Sequence, residues 1–252
     1  VQRGGPGMGH IRQAQVDYLS VTRGGGNGGY RNIVLAPFSV QETHDFVQLA
    51  FYLGDKYRNP VIVLTDALIG QLAESLEVKV LDFGPLPEKD WAIVGKDRRK
   101  DGLARVLMCS NGNFDYIGFL EGLDKKCRAW QQEVRYENYF ADDAEVIIVA
   151  YGYCGRVAKE TVDWARQEGY KTGLIRPITL HPFPYDILRQ KAEEGKKFLV
   201  VEDSMGQMLV DVEIAVQGKA PISFVGASFR HQRDDGGKIF PDKVFGELKK
   251  LF

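Results

Sequence analysis

The sequence has few of the side chains that hold metal clusters, and it has no long apolar run. Its 252 residues include three cysteines, Cys109, Cys127 and Cys154, which lie far apart and form no Cys-x-x-Cys pair. Iron–sulfur and structural zinc sites need four closely spaced ligands, so we expect neither in this chain. A small, odd number of widely spaced cysteines is typical of proteins in the reducing cytoplasm. Because no apolar run reaches the length of a membrane span, we expect a cytoplasmic protein with no membrane partner.

A strong net charge and ordered histidines are also absent. The formal net charge is −1, which provides no global attraction to nucleic acid, so we expect no nucleic-acid partner. The four histidines are scattered and follow neither the His-Glu-x-x-His spacing nor a Ser/His/Asp order. Hydrolase and metalloprotease functions therefore have no support. Instead, 44% hydrophobic and 27% charged residues indicate a globular protein with a sizeable core.

Short apolar runs flank an amphipathic segment in the first half. The apolar runs at 32–37 and 61–66 predict buried strands, and the stretch 39–60 between them predicts a helix. Ser39 and Glu42 have the spacing of a capping box at the start of that helix. A strand, a helix and a strand in so short a stretch predict a βαβ unit with parallel strands.

The second half alternates apolar and amphipathic stretches more regularly. This alternation predicts an α/β fold class, an open sheet with helices on both faces. Strands are predicted at 145–152, 171–180, 196–204 and 220–227, and helices at 156–169, 184–195, 206–218 and 241–252.

A linker and an amphipathic segment lie between these two units. Residues 75–100 contain two prolines and the charge run KDRRKD, which is typical of a solvated surface connection. The apolar and aromatic stripe of 114–140 predicts one long helix that packs on the core or on a neighbouring domain. We therefore expect two α/β sheet domains, within 1–75 and 143–252, joined by the linker and helical segment 76–142.

One glycine motif in the second half has an ordinary interpretation. The stretch AYGYCGR at 150–156 joins a predicted strand to a predicted helix, but it lacks the GxGxxG spacing of a dinucleotide fingerprint. We interpret it as a common βα turn. Cys154 in this stretch has no histidine beside it in sequence, so we interpret it as a packed residue rather than a nucleophile.

The opening stretch RGGPGMG at 3–9 is the strongest candidate for a binding site. The guanidinium of Arg3 presents a planar fork of donors that suits a carboxylate or a phosphate. The glycines after it let a ligand approach the main chain and its N–H groups. A flexible loop with an incidental arginine is the alternative, and the residues alone leave both open. The candidate loop consists of Gly4, Gly5, Pro6, Gly7, Met8 and Gly9.

Several stretches, in the same order, resemble one protein family. RGGPGMG, QVDYLSVTRGGGNGGYRNIVLAPFSVQE and DKYRNPVIVLTDALIGQ are similar to the α subunit of the 2-oxoacid:ferredoxin oxidoreductases, and nearest to the 2-oxoisovalerate (branched-chain) type. The later stretches GLIRPITLHPFP and FLVVEDSMGQMLVDVEIAVQGKAP resemble the C-terminal domain of the same subunit. That domain is in turn similar to the transketolase C-terminal domain.

This resemblance implies an enzyme activity and its cofactors. The family decarboxylates a 2-oxoacid on thiamine diphosphate with magnesium, transfers the acyl group to coenzyme A, and passes electrons through iron–sulfur clusters to ferredoxin. The resemblance implies that a β subunit holds the diphosphate and a cluster, that γ and δ subunits complete the complex, and that clusters lie in the partner subunits only. In the family the arginine of the RGGP motif binds the substrate carboxylate, a role that falls on Arg3.

The sequence departs from the family pattern at three places. Many relatives have hydroxyl side chains where this chain has Gly7 and Met8, whereas the branched-chain type often has GPGLG, which Gly7-Met8-Gly9 approximates. A threonine of the 2-oxoglutarate type is replaced by Arg12, which we include in the candidate active-site loop. The stretch ASFRHQRDDGGKIF at 227–240 replaces the usual glycine-rich end of the domain.

The resemblance also implies that an N-terminal segment with the glutamate that activates thiamine precedes this motif. Residues 1–75 would then be the second part of the pyrimidine-binding domain, and the chain alone is not expected to be active. Two alternatives to a catalytic subunit remain open. The first is a non-catalytic module that docks subunits, and the second is a fragment of a transketolase-like enzyme or a 2-oxoacid dehydrogenase.

Overall fold

The computed structural model describes residues 1–5, 12–26, 29–89, 91–99, 115–227 and 238–252, which form two sheets with helices packed on them. The strands are β1 (Ile33–Leu35), β2 (Val61–Val63), β3 (Tyr136–Tyr139), β4 (Val146–Ala150), β5 (Thr172–Pro177), β6 (Thr179–His181), β7 (Lys197–Val201) and β8 (Ile222–Val225). The helices are α1 (Tyr18–Thr22), α2 (Val40–Tyr57), α3 (Tyr116–Ala129), α4 (Gly152–Gln167), α5 (Tyr185–Glu193), α6 (Gln207–Val216) and α7 (Pro241–Lys249).

The larger sheet has the strand order β3-β5-β4-β7-β8. Strands β5, β4, β7 and β8 are parallel, and β3 pairs antiparallel with β5 at one edge. Every residue of β4 is buried, as expected for its unbroken apolar sequence VIIVA. Because β5 lies on one side of β4 and β7 on the other, the strand order reverses at β4. The crevice at the carboxyl ends of β4 and β7 is therefore where open α/β sheets commonly bind ligands.

Helices cover both faces of the larger sheet, as the sequence predicted. Successive residues of a strand point to opposite faces. On one face, Ile147 of β4 joins a core with Leu188 of α5 and Val212 of α6. On the other face, Ile148 joins a core with α4 and with Val244 of α7. The second unit is thus an α/β sandwich whose core is apolar on both sides of the sheet.

The smaller sheet has the order β2-β1-β6. Strands β1 and β2 are parallel and are connected by α2, so the predicted βαβ unit is confirmed. The third strand, β6, comes from the second half of the chain and pairs antiparallel with β1. The two sheets therefore share one continuous segment, since β5 ends at Pro177 and β6 begins at Thr179.

The predicted capping box of α2 is confirmed at its N-cap, Ser39, whereas its second bond goes to the residue before the N-cap. The backbone N–H of Glu42 donates to Oγ of Ser39 at 3.1 Å, and the Glu42 carboxylate accepts from the backbone N–H of Phe38 at 3.0 Å. The first bond satisfies an N–H group that the first helical turn leaves unpaired, and the second ties the chain just before the N-cap to the helix. The start of α2 is thereby fixed directly after β1.

The predicted single helix over 114–140 is wrong in its last part. Helix α3 ends at Ala129, a 3₁₀ turn covers Trp130–Glu133, and β3 follows. Pairing with β5 supplies backbone hydrogen bonds that outweigh the helical pattern of the local sequence. None of the residues of α3 is buried, and Ile117 is 63% exposed, so the first part of the predicted stripe faces outward. Near the end of α3, Cys127 packs against the core of the smaller sheet beside the buried Trp130, so the last part of the stripe does contact the core.

Two other predicted boundaries also differ from the structure. The predicted strand 171–180 is divided into β5 and β6, because Ile178 turns the chain by donating its N–H to the Arg135 carbonyl at 3.0 Å. Helix α4 begins at Gly152 instead of 156, so most of the stretch AYGYCGR is helical. No described helix has both the length and the apolar character needed to cross a membrane.

The described residues of the predicted linker are mostly irregular. Apart from a short 3₁₀ turn at Lys96–Arg98, the described part of 75–100 contains no helix or strand. The side chain of Gln48 on α2 donates to the Lys79 carbonyl at 2.9 Å and accepts from the Leu81 N–H at 3.0 Å. The linker therefore runs along α2. The domain boundaries stay a prediction.

Candidate functional site

Arg3 lies beside the carboxyl end of strand β2, in the smaller sheet. The N–H of Gln2 donates to the Thr65 carbonyl at 2.7 Å, and the Gln2 carbonyl accepts from the Ala67 N–H at 3.0 Å. These bonds form a parallel bridge between Gln2 and Asp66, just beyond β2. Arg3 thus follows a short parallel pairing, which is the position where α/β sheets present ligand-binding side chains.

The glycine-rich loop after Arg3 has both its ends fixed. The N–H of Gly4 donates to the carbonyl of Arg12 at 2.9 Å, so the two ends of the loop lie together. Gly5 has a φ of 85°, a left-handed conformation that favours glycine. The Arg3 guanidinium lies 3.5 Å from the Gly5 carbonyl. The candidate residues Pro6, Gly7, Met8 and Gly9 lie outside the described residues.

The chain after Arg12 enters the crevice of the larger sheet. Gln15 is completely buried there. Its N–H donates to the carbonyl of Asp203 at 2.7 Å, and its side-chain Oε1 accepts from the Asp203 N–H at 2.9 Å. Its Nε2 donates to the Tyr151 carbonyl at 2.9 Å. Because Tyr151 follows β4 and Asp203 follows β7, Gln15 fills the place where such sheets usually bind a ligand.

Two further glutamines join this segment to its neighbours. The N–H of Asp17 donates to Oε1 of Gln2 at 3.3 Å. Gln207, the first residue of α6, donates to the Val16 carbonyl at 2.6 Å and accepts from the Leu19 N–H at 2.9 Å. The segment between the glycine loop and α1 is therefore held by bonds from both halves of the chain.

Asp66 is a buried carboxylate that organises backbone around the site. One of its oxygens accepts from the N–H groups of Leu68 and Ile69, at 3.0 and 2.9 Å. The other accepts from the N–H of Tyr153 at 3.0 Å, which links β2 to the first turn of α4. Burial raises the pKa of Asp66, while these N–H groups lower it. Asp66 thus connects the two sheet units directly beneath the start of the chain.

Asp203 is the second buried acid of this junction. Its Oδ2 accepts from the Tyr153 hydroxyl at 2.6 Å. Burial raises the pKa of Asp203 to about 6; the Tyr153 hydroxyl opposes that shift, the charge of Asp66 adds to it and Lys243 opposes it. Neither acid nor Gln15 is recognisable as a site residue in the sequence, because each is defined by contacts with residues that are distant in sequence. The only local signal was the position of each acid after an apolar strand.

A third buried acid anchors α1. Asp211 on α6 accepts from the Tyr18 hydroxyl at 2.6 Å and from the Arg23 guanidinium at 2.6 Å. The Tyr185 hydroxyl also donates to it. Arg23, the arginine of the TRGGG stretch, therefore forms an ion pair within the chain. Its observed role is to stabilise the packing of α1 on α6.

The thiol of Cys154 is engaged in packing. Cys154 is fully buried in α4, and burial raises the pKa of its thiol, which disfavours the thiolate that a nucleophile requires.

A cavity of about 520 Å³ opens on the other side of Tyr153. Two cations at its wall already form ion pairs, Arg156 with Glu74 at 2.7 Å and Lys159 with Glu137 at 2.6 Å. Within the described part of the chain, no group of three His, Cys, Asp or Glu side chains could hold a metal ion.

Comparison with protein families gives two matches that together cover most of the chain. The family described as pyruvate flavodoxin/ferredoxin oxidoreductase, thiamine diphosphate-binding, matches residues 1–93. The family described as pyruvate:ferredoxin oxidoreductase core domain II matches residues 144–233. The glycine loop and the strands β1 and β2 fall in the first match, and β6 and most of the larger sheet fall in the second.

Two curated relatives and one solved structure extend this result. Ketoisovalerate oxidoreductase subunit VorB of Methanothermobacter thermautotrophicus is 46% identical over 215 residues, which is 85% of this chain and 61% of that protein. 2-Oxoglutarate synthase subunit KorA of Methanothermobacter marburgensis is 29% identical over 274 residues, which covers 98% of this chain and 71% of that protein. The fold is similar to 2-oxoglutarate:ferredoxin oxidoreductase from Magnetococcus marinus, with a TM-score of 0.75 at 19% identity over 100% of this chain and 47% of that one.

Proposed function

This chain belongs to the 2-oxoacid:ferredoxin oxidoreductase family, and we propose that it forms the substrate-carboxylate side of the active site in the α subunit of such an enzyme. The chain spans 61% of the length of the ketoisovalerate oxidoreductase subunit. Its activity, substrate and partners are therefore proposed for the whole protein to which it corresponds. The observation that carries the proposal is the place of Arg3, at the carboxyl end of a parallel pairing and at the fixed end of a glycine loop.

The reaction we propose is the oxidative decarboxylation of a 2-oxoacid to an acyl-coenzyme A, with ferredoxin as the electron acceptor. A branched-chain 2-oxoacid such as 2-oxoisovalerate is the proposed substrate. Two observations support this choice: the 46% identity to a ketoisovalerate oxidoreductase subunit, and the apolar Met8 in the loop, which suits an apolar substrate tail.

Arg3 would bind the carboxylate that leaves as carbon dioxide. A guanidinium binds a carboxylate through two parallel N–H···O bonds, so it fixes orientation as well as position. Because the carboxylate is held at one end, the bond between the first and second carbons of the substrate keeps a defined direction. Because glycine has no side chain, a flat ligand can approach the backbone N–H donors of a glycine-rich loop. The proposed contribution of this chain is thus binding and orientation.

Thiamine diphosphate, when bound, supplies the electron sink that makes decarboxylation of a 2-oxoacid possible. Binding a magnesium diphosphate requires carboxylate ligands for the metal together with cations or clustered N–H donors for the phosphates. The described residues of this chain present no such metal-binding group. On the family resemblance, we propose that a β subunit holds the diphosphate and its magnesium, that the iron–sulfur clusters lie in partner subunits, and that γ and δ subunits complete the complex.

A docking role within the same complex is the second candidate. It is favoured by α3, in which no residue is buried and three neighbouring large side chains are exposed, those of Tyr116, Ile117 and Phe119. Exposed aromatic and apolar side chains of this kind are typical of subunit contacts. Both roles can belong to one subunit, and the turnover of Arg3 variants separates them.

The test uses the full-length subunit produced anaerobically with its partner subunits. Coenzyme-A-dependent reduction of a viologen dye by 2-oxoisovalerate is measured for wild type, Arg3→Ala, Arg3→Lys and the control Arg189→Ala. Since a hydrogen-bonded charge pair at a carboxylate is lost, we expect Arg3→Ala to lower kcat/KM about 30- to 100-fold. Arg3→Lys should recover part of the loss, because lysine keeps the charge but not the planar fork.

The control and the contrary outcome are defined by the same assay. Arg189 is an arginine of α5 that pairs with Asp186 at the surface, so Arg189→Ala should leave kcat/KM unchanged. A kcat/KM of Arg3→Ala that equals the wild-type value would reject the carboxylate role of Arg3. Comparison of 2-oxoisovalerate with 2-oxoglutarate and pyruvate identifies the substrate class.

A further inference from the structure

We propose that Gln15 is the positioning residue of the loop from Arg3 to Arg12, called here the Arg3 loop. Gln15 fills the ligand crevice of the larger sheet and thereby fixes the far end of that loop. The inference rests on the proposed role of Arg3 and extends it to a residue that does not touch the substrate. Its basis is a junction in which one short segment is bonded to both sheets of the molecule. The crevice between β4 and β7 then serves as an anchor point and not as a binding site.

The residues that flank the Arg3 loop are hydrogen-bonded to different sheets, and we call these two attachments anchors. The first is Gln2, which pairs with Thr65 and Ala67 beside the smaller sheet. The second is Gln15, which pairs with Asp203 and Tyr151 at the carboxyl ends of β7 and β4. The position of Arg3 therefore depends on both anchors. Loss of the Gln15 side-chain bonds would weaken the second anchor, which would then rest on the Gln15 N–H bond to Asp203 and on the bonds of Gln207 to Val16 and Leu19.

The Gln15 anchor uses both the oxygen and the nitrogen of a fully buried primary amide. Its Oε1 accepts and its Nε2 donates, each at 2.9 Å, and the partners are main-chain groups. Main-chain partners cannot turn away as a side chain could, so the geometry of the amide is set by the ends of the two strands. A buried amide with such partners is costly to replace by any side chain that leaves those groups unpaired.

Gly152 provides the space for this anchor. It has a φ of 55°, and a Cβ at this position would lie 2.9 Å from both Nε2 of Gln15 and Oδ2 of Asp66. Contacts that close are not tolerated by real side chains, so glycine is required here. The first turn of α4 therefore lies directly against Gln15 and Asp66, and the anchor is enclosed from this side.

A purely structural role for Gln15 predicts a different result from a positioning role. If Gln15 only stabilised the fold, its removal would act like that of any buried hydrogen-bonding group. If it positions Arg3, its removal lets the loop sample more conformations and weakens binding of the 2-oxoacid carboxylate. The binding term KM should then rise more than kcat falls, because turnover still follows once the carboxylate is bound.

The experiment compares two variants in the assembled enzyme. Gln15→Met keeps a side chain of similar length but removes both hydrogen bonds. Thr161→Val is the matched control, because Thr161 is also fully buried and its hydroxyl donates to the Val157 carbonyl at 2.9 Å, within α4. The measurements are kcat and KM for 2-oxoisovalerate, the melting temperature, and hydrogen exchange of the amides in 1–20 by mass spectrometry.

For Gln15→Met we expect KM to rise roughly tenfold with kcat within about twofold of wild type, which is the effect of losing one to two buried hydrogen bonds at an anchor. Exchange should become faster in 1–20. Thr161→Val should lower the melting temperature less, because the Val157 carbonyl keeps its bond within α4, and it should leave KM and exchange in 1–20 unchanged.

Two results would overturn the proposal: an unchanged KM in Gln15→Met, or an equal rise of KM in Thr161→Val. If the wild-type enzyme oxidises no 2-oxoacid, the proposed function fails, and hydrogen exchange alone decides whether Gln15 positions the loop. In that case, exchange in 1–20 that is faster in Gln15→Met than in Thr161→Val supports positioning. Equal exchange in the two variants rejects it.

Discussion

Single buried carboxylates hold main-chain N–H groups at the junction of the two sheets. Asp66 accepts three such bonds, from Leu68, Ile69 and Tyr153, and Glu202 accepts two, at the start of α6. Bonds of this kind are stronger than neutral ones, but the charge pays a desolvation penalty on burial. Burial accordingly raises the pKa of Glu202 as well as that of Asp66. These acids are the part of the site that responds to pH.

Asp203 gives a prediction for the pH dependence of stability. Its pKa in the folded chain is about 6, above the ordinary value of 3.8. Between these two values the folded chain binds a proton that the unfolded chain does not, so stability falls as pH rises through about pH 4 to 6. From pH 5 to pH 8 the loss from this group should be roughly 1 kcal/mol.

Urea unfolding of wild type and Asp203→Asn at pH 5 and pH 8 measures this contribution. The groups that face Asp203 are the Tyr153 hydroxyl, the carboxylate of Asp66 and the ammonium group of Lys243, and all of them are retained in the variant. The stability difference between the two pH values should therefore be smaller in Asp203→Asn than in wild type. Identical differences in the two proteins would contradict the raised pKa.

Local signals predicted some residues of the site and not others. Arg3 could be proposed because an arginine followed by glycines is a pattern within one stretch of sequence; its role stays a prediction. Gln15 was not found, because its partner Asp203 is 188 positions away and a single glutamine carries no signal of its own. The acids Asp66 and Asp203 end apolar strands, which is a recognisable position, but their burial depends on how the two sheets meet.

At the scale of helices and strands, prediction succeeded where local and tertiary preferences agree. The Ser39 capping box and the apolar strand β4 are examples, because each is specified by adjacent residues. It failed where tertiary pairing decides the outcome. The residues of β3 continue a helical pattern from α3, yet they pair with β5. Likewise β6 left the predicted strand 171–180 to complete the other sheet.

Arg176 of β5 joins three elements in one ion-pair network. Its guanidinium makes two bonds to Glu42 at the start of α2, at 2.7 and 3.0 Å, and one to Glu137 of β3 at 2.7 Å. It also stacks over the ring of Phe38 at 3.9 Å. The Arg176 side chain is only 3% exposed. The network therefore fixes the edge of the larger sheet against the capped end of α2.

Removal of Arg176 should be strongly destabilising. Arg176→Met keeps part of the apolar stem but leaves two carboxylates without their shared partner, so we expect a loss of about 3 kcal/mol in the free energy of unfolding. The double variant Arg176→Met/Glu42→Gln should be less destabilised than the sum of the single variants, because it removes one of the two charges. Urea denaturation measures both. A loss below about 1 kcal/mol in Arg176→Met would show that the network contributes little.

For the whole molecule, the smaller sheet depends on residues from the second half of the chain. Its strand β6 follows β5 of the larger sheet after one residue. Its core consists of Ile33, Leu35, Leu49 and Leu53 together with Trp130, which lies far along the chain and is almost completely buried. The larger sheet has all five of its strands within 136–225. The two halves are therefore unequal in their capacity to fold alone.

This asymmetry predicts the behaviour of fragments. Residues 134–252 contain the whole five-stranded sheet with α4, α5, α6 and α7, so this fragment should fold cooperatively, with lower stability than the full chain because Gln15 and Tyr18 no longer cover the crevice. Residues 1–99 lack β6 and Trp130, and two short strands with one helix do not form a stable core. This fragment should remain largely unfolded. Circular dichroism and the dispersion of amide signals in NMR spectra measure both states. A folded 1–99 fragment would show that the smaller sheet does not need β6 and Trp130. An unfolded 134–252 fragment would show that the larger sheet needs the first half of the chain.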